Sequence, residues 1–410
     1  MKEPILFRRD DMISHSDAMY WKDLLYRTVK IGTELEFALP KGVRKDDFFP
    51  PLVETLKPSK DLTDLGENGI FDVISEHCGI EIQVIGRQPY YPALVEQYRA
   101  ILTPLVERGV RARATCGLHY HTLAIGLSEP MPEIILANVW NLTRRYAPHL
   151  RFLTSGGDRP EALCRRRNYA SHLEMVKHTP GANTMRRIQQ KLRESNAVPE
   201  HQNFLNLEHI EFNDKGEVSD FHLEFRFPDA DLSPTSIVAK TFLFLAMLLK
   251  AVEMSQYGVI HVGRIHEWRH NVHILDLLSN NDGNLATSDT SGITPDIIEA
   301  LRVGAYELLE LLKPIFGRFA RSSFEANEDH PAFEVLSLLA ETPVSLLRCS
   351  GRDWLEIERM LAERAAVKPG QWDKNDRRLI RAIELAEMTG FSESESWKWE
   401  TARELFLTPQ

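Results

Sequence analysis

The chain has 410 residues, 43% hydrophobic and 26% charged, enough apolar material for a substantial core and more than one structural unit. Disorder, a collagen-like repeat and a disulfide mini-scaffold are excluded on composition. With 49 basic against 59 acidic residues and a formal charge of −10, binding to a nucleic-acid backbone is not an expected role.

The start, MKEPILFRRDDM, meets charges at once and shows no apolar secretory core. Cys78, Cys116, Cys164 and Cys349 lie far apart without a CxxC pair, so neither a disulfide framework nor a cysteine zinc site is expected and a reducing cytoplasm fits. Through about residue 255 short β-type runs alternate with helical stretches: Val29–Leu39, Gly79–Ile85, Arg111–Ala124 and Ser219–Phe227. Between the third and fourth, Met131 to about Asn196 has helical spacing (Ile134, Ile135, Val139, Leu142, then Met185, Ile188, Leu192), with a loop at Thr154–Asp158. Ser233 and Pro234 read as the cap and first position of an apolar helix. Lys240 and Lys250 interrupt its apolar run, so it is expected in a core and no membrane partner is expected. A polar stretch, Ser279–Gly292, then separates a tail of helical stripes, first Ile298, Leu301, Ala305, Leu308 and Leu312, later Trp354–Leu361 and Leu379–Leu385. The expected class is α+β, with residues 1–257 as one domain and 258–410 as a mainly helical region bracing it.

Four β-type runs carry polar residues at i and i+2, so both side chains of each pair share one face. The pairs are Glu34 and Glu36, Glu81 and Gln83, His119 and His121, and Glu224 and Arg226. The residues between them, Leu35, Ile82, Tyr120 and Phe225, point into a core. A solvated face explains one such pair; four together gather carboxylates that repel one another unless a cation sits among them. Hard glutamate oxygens with an occasional imidazole suit Mg²⁺ or Mn²⁺, which in proteins bridges carboxylates to nucleotide phosphates. Arg226 is then placed to neutralise a transferring phosphoryl group.

The segments IGTELEF, GIEIQV, CGLHYHT and LEFRFPDADL, in this order, resemble the amidoligase family of the glutamine synthetase fold, relatives of glutamate–cysteine ligase. The resemblance covers about Val29 to Met254. It implies a glutamine synthetase-like antiparallel sheet with flanking helices and an ATP-dependent carboxylate–amine ligase. In such an enzyme a carboxylate takes the γ-phosphoryl group and an amine opens the acyl phosphate to an amide or peptide bond. By the same resemblance, Glu34, Glu36, Glu81, His119 and Glu224 hold metal and ATP, and His121 is a ligand or a substrate contact. Arg226 contacts phosphate, while Arg165, Arg167 and Asn206 lie near nucleotide or substrate. The partners implied are a small-molecule or peptide carboxylate and an amine. The general base is open among Glu81, Asp64, Glu67 and Asp72. Two positions depart from the family pattern: Asp229-Ala230-Asp231 stands where Gly-Thr is usual, and Gln83 where serine is usual.

Two other readings use different features. His266-Glu267-Trp268-Arg269-His270 matches the HExxH pattern of zinc hydrolases, but His273 and Asp276 stand where the longer pattern needs Gly and a third His. A catalytically inactive relative that only binds a nucleotide would keep the same polar pairs. An interface stripe and a core stripe look alike in sequence, so a homo-oligomer and a monomer are both compatible with the helices.

Overall fold

A computed structural model describes residues 12–61, 65, 69–77, 79–86, 90–112, 116–154, 185–186, 189–190, 204–258, 294–323 and 330–341. Among them, six strands form one antiparallel sheet: β1 (Lys30–Phe37), β2 (Ile70–Glu76), β3 (Gly79–Gly86), β4 (Leu118–Ala124), β5 (Leu205–Phe212) and β6 (Val218–Phe225), in the order β2-β3-β1-β4-β6-β5. The helices are α1 (His15–Thr28), α2 (Lys45–Leu56), α3 (Tyr91–Glu107), α4 (Glu133–Arg145), α5 (Ala147–Thr154), α6 (Pro234–Met254), α7 (Pro295–Ser323) and α8 (Pro331–Glu341). The protein is thus mixed α+β, an antiparallel sheet with flanking helices.

Strand alternation sorts the side chains as the sequence predicts. Leu35, Ile82, Tyr120 and Phe225 are each at most 1% exposed. The Phe244 ring of α6 meets Tyr120 at 5.1 Å and Phe225 at 4.1 Å between centroids, so the apolar face of the sheet closes directly onto α6. Thr33, on the same side, is tied to α3 by a 2.8 Å hydrogen bond to the Tyr98 hydroxyl.

Helix α6 begins where its sequence dictates: Ser233 Oγ accepts from the Ser236 N–H at 3.2 Å and Pro234 occupies the first position. It is apolar on all sides and packs against α1, α3, α4, α7, α8 and β4. It is long and apolar enough to cross a membrane, yet nearly all of that surface is buried in the core. Leu301, Leu308, Leu312 and Phe316 of α7 and Phe333 and Leu336 of α8 belong to the same continuous hydrophobic cluster as the sheet.

The Asp229-Ala230-Asp231 segment, where the sequence departs from the pattern it otherwise resembles, joins the sheet to two helices. Asp229 accepts from Arg151 Nη1 at 3.1 Å and Nη2 at 3.3 Å, tying the segment to α5, and its backbone forms a bridge with Gly117 just ahead of β4. Asp231 accepts from the Ser233 N–H at 2.9 Å, Ser236 Oγ at 2.5 Å and Lys240 Nζ at 2.6 Å. Buried charges persist only when paired and hydrogen-bonded in this way.

Several predicted boundaries shift. Among the described residues, the run expected from Arg111 forms a strand over Leu118–Ala124, and Arg111 makes an isolated bridge with Ala38. Strands β2 and β5 were not foreseen. Strand β2 carries a register shift between Ile70 and Asp72, and β5 carries two, between Asn206 and His209 and between Glu211 and Phe212; such irregularities break the two-residue alternation that marks a strand in sequence. Helix α8 falls in the tail expected to be helical. The stripes at Trp354–Leu361 and Leu379–Leu385 and the Ser279–Gly292 stretch lie outside the described residues.

Lys240→Met leaves the buried Asp231 carboxylate without its cation and is expected to cost about 3–5 kcal/mol in urea unfolding. The double variant Asp231→Asn/Lys240→Met, with no net charge left at the pair, should lose less.

Candidate metal centre

The register sets the polar pairs against one another on the face away from α6. Glu34 lies opposite Gln83 and His119, Glu36 opposite Glu81, and His121 opposite Glu224, which in turn faces Asn206. Strands β1, β4 and β6 are therefore neighbours that each contribute to one cluster. One ligand atom from each of Glu34, His119 and Glu224 falls within 4.8 Å of the others.

His119 sits among three carboxylates. Its Nδ1 is 2.8 Å from Glu34 Oε2 and 3.3 Å from Glu224 Oε1, and its Nε2 is 3.6 Å from Glu36 Oε1. The other Glu36 oxygen accepts from the Gly117 backbone N–H at 2.5 Å, so the turn ahead of β4 aims this carboxylate. Glu224 is gripped from both sides: Asn206 Nδ2 donates to Oε2 at 3.0 Å, and Arg226 Nη1 donates to Oε1. Gln83 Nε2 donates to Glu81 Oε1 at 2.9 Å. His121 Nε2 is buried, 3.7 Å from Glu34 Oε1, and has no hydrogen-bond partner.

These contacts divide the carboxylates. Burial pushes Glu34 and Glu224 up, but the His119 hydrogen bond and the neighbouring cationic charges outweigh it, Arg226 included for Glu224, and hold both below the usual carboxylate range. Glu81 has less help: burial and then the Glu34 charge raise it to about 7. Burial lowers His121 to about 4 and also lowers His222. At neutral pH the face thus carries ionised carboxylates beside an uncharged His121 whose buried Nε2 is unsatisfied. A divalent cation answers both conditions, and carboxylate oxygen with imidazole nitrogen is a donor set that Mg²⁺ or Mn²⁺ accepts. The residues present fit such an ion.

No protein-family model matches the chain, and no match is found among curated proteins. Among solved structures, the chain is similar to one in the crystal structure of the complex between Prokaryotic Ubiquitin-like Protein Pup and its Ligase PafA. The identity is 14% and the TM-score 0.36, with 94% of this chain and 72% of that chain covered. The functional reading rests on the site's own residues.

Of the residues singled out in the sequence, Glu34, Glu36, Glu81, His119, His121, Glu224 and Arg226 share this face. Asn206 reaches it through Glu224, on which its amide is turned. Asp72 pairs with Lys60 at 3.2 Å. Arg165, Arg167, Asp64, Glu67 and the His266–His270 motif lie outside the described residues. Cys116 is buried against Ala38 and Ala230. Sequence reasoning missed His222, although it extends the alternation of Glu224 and Arg226 by one step. It also missed the Arg151–Asp229 pair behind Gly117.

Because Glu81 holds its proton more tightly folded than unfolded, its contribution to stability is present at low pH. That contribution is lost as the pH rises from about 4.5 to about 7. In metal-free buffer, the stability advantage of the wild type over Glu81→Gln should decline across that window, read from urea midpoints at each pH. A difference that stays flat or grows with pH contradicts the assignment.

Proposed function

We propose that this protein is an ATP-dependent carboxylate–amine ligase of glutamine synthetase-like fold. The observation that carries the reading is the convergence of Glu34, His119 and Glu224 from three adjacent strands, with Arg226 hydrogen-bonded to Glu224. The amidoligase-like order of the motifs supports it. Glu34, Glu36, His119, His121 and Glu224 would hold Mg²⁺ or Mn²⁺, which when bound neutralises phosphate charge and orients the nucleotide, with Glu81 at the edge of the set as the candidate base. The substrates are a small-molecule or peptide carboxylate and an amine.

The chemistry asks for position and charge more than for a protein nucleophile. A carboxylate oxygen of the acid attacks the γ-phosphorus of ATP, the bond from that phosphorus to the bridging oxygen breaks, and ADP leaves. The amine nitrogen then attacks the acyl carbon, the bond to the phosphate oxygen breaks, and inorganic phosphate leaves. Arg226, partly exposed and anchored to Glu224, offers its remaining N–H groups to the phosphoryl oxygens where charge develops. Glu81 is the carboxyl on this face raised to about 7, a value suited to taking a proton from the attacking amine near neutral pH.

ATP consumption with Mg²⁺, screened against pools of acids and amines, should give ADP and phosphate only when one particular acid and one particular amine are both present. Glu224→Gln, nearly equal in shape, should lose turnover while keeping the parental circular dichroism. A Glu224→Gln protein that turns over ATP at the parental rate would sink the reading. Arg226→Ala should lower kcat by about 10²–10³ with the nucleotide still bound.

A further inference from the structure

His222 lies on the functional face but in none of the motifs. It precedes Glu224 by two residues on β6 and stands opposite Leu123 of β4 and His209 of β5. Its Nε2 is 2.6 Å from His121 Nδ1. Two imidazole nitrogens at that separation require one hydrogen between them, because two lone pairs repel and two N–H groups collide. At the far end of the His121 ring, Nε2 is buried, faces Glu34 Oε1 at 3.7 Å and has no hydrogen-bond partner. That atom is oriented toward the carboxylate cluster, and the contact that orients it is the one to His222. The outer side of His222 is in turn covered by the exposed His209 ring, stacked at 5.4 Å with 17° between planes.

We propose that His222 is a positioning residue for the metal centre: by accepting the Nδ1 hydrogen of His121, it selects the tautomer whose Nε2 lone pair faces the carboxylates. The inference rests on the metal reading of the site and adds to it a residue that touches none of the carboxylates through a hydrogen bond of its own. Metal-ligating imidazoles generally donate their second N–H to a fixed acceptor, which sets ring orientation and tautomer. A carboxylate commonly plays this part. Here the face already gathers several glutamates, and an uncharged imidazole acceptor orients His121 without adding another negative charge.

The test is Mn²⁺ binding to the full chain, followed through the electron paramagnetic resonance signal of the free ion. It compares the wild type, His222→Ala, His222→Gln, His121→Ala and the His121→Ala/His222→Ala double variant, each checked for parental circular dichroism. His222→Ala should weaken the Kd about 10- to 100-fold, and His222→Gln, whose side-chain carbonyl can accept the same hydrogen, should recover most of it. On the His121→Ala background, removing His222 should add nothing, since its effect passes through that ring. An unchanged Kd in His222→Ala, or an equal loss with and without His121, overturns the positioning role while leaving the metal centre standing. A wild-type protein that binds no Mn²⁺ overturns the metal reading and this inference with it.

Discussion

Carboxylates crowded on one face of a pleated sheet cannot all stay ionised without positive charge among them, and this constraint organises the rest of the structure. Each device around the cluster deals with part of that charge. His119 bridges Glu34 and Glu224, Arg226 and Asn206 hold Glu224, the Gly117 amide takes one oxygen of Glu36, and Glu81 is left to keep a proton until about pH 7. The arrangement is polarised: the strongest hydrogen-bonded support falls on the carboxylates of β1 and β6, the weakest on β3. A cation seated between β1 and β6 would meet two carboxylates, Glu34 and Glu224, that are already held ionised.

Such a face is workable only if the opposite face is rigid. That face is packed by α6, whose Phe244 stacks on Phe225 and meets Tyr120 at a tilt, the residues that separate Glu224 from Arg226 and His119 from His121. Displacement of that ring would be felt on the polar side one residue away. The Asp229–Asp231 segment adds a second restraint, because one aspartate fixes the backbone ahead of β4 through Arg151 and the other locks the start of α6 through Lys240. Residues that look like a departure from a motif thus serve the geometry of the motif beside them.

How much of this was legible in the sequence depends on periodicity. The four central runs advertise themselves because their alternation is unbroken, and their polar residues fall where the sheet needs them. Strands β2 and β5 did not, since each is an edge strand with a register shift that moves its buried positions out of step. Individual ligands were visible as well, but not which partner each would choose. The sequence points to Asn206 as a residue near the nucleotide, but not to the Glu224 carboxylate that its amide holds. His222 extends the alternation of Glu224 and Arg226, but its role depends on His121 across the sheet, which the sequence alone does not place beside it. Pairing across strands is long-range information, and local pattern does not contain it.

Glu34 and His119 are 85 residues apart in sequence, and Glu224 arrives only with β6, the penultimate strand of the sheet order. No contiguous fragment short of that strand can present the full set of ligands. During synthesis, then, the emerging polypeptide passes through a long interval in which it exposes scattered acidic residues but no chelating pocket. If the cluster holds an ion, its capture would be a late event that follows completion of the sheet.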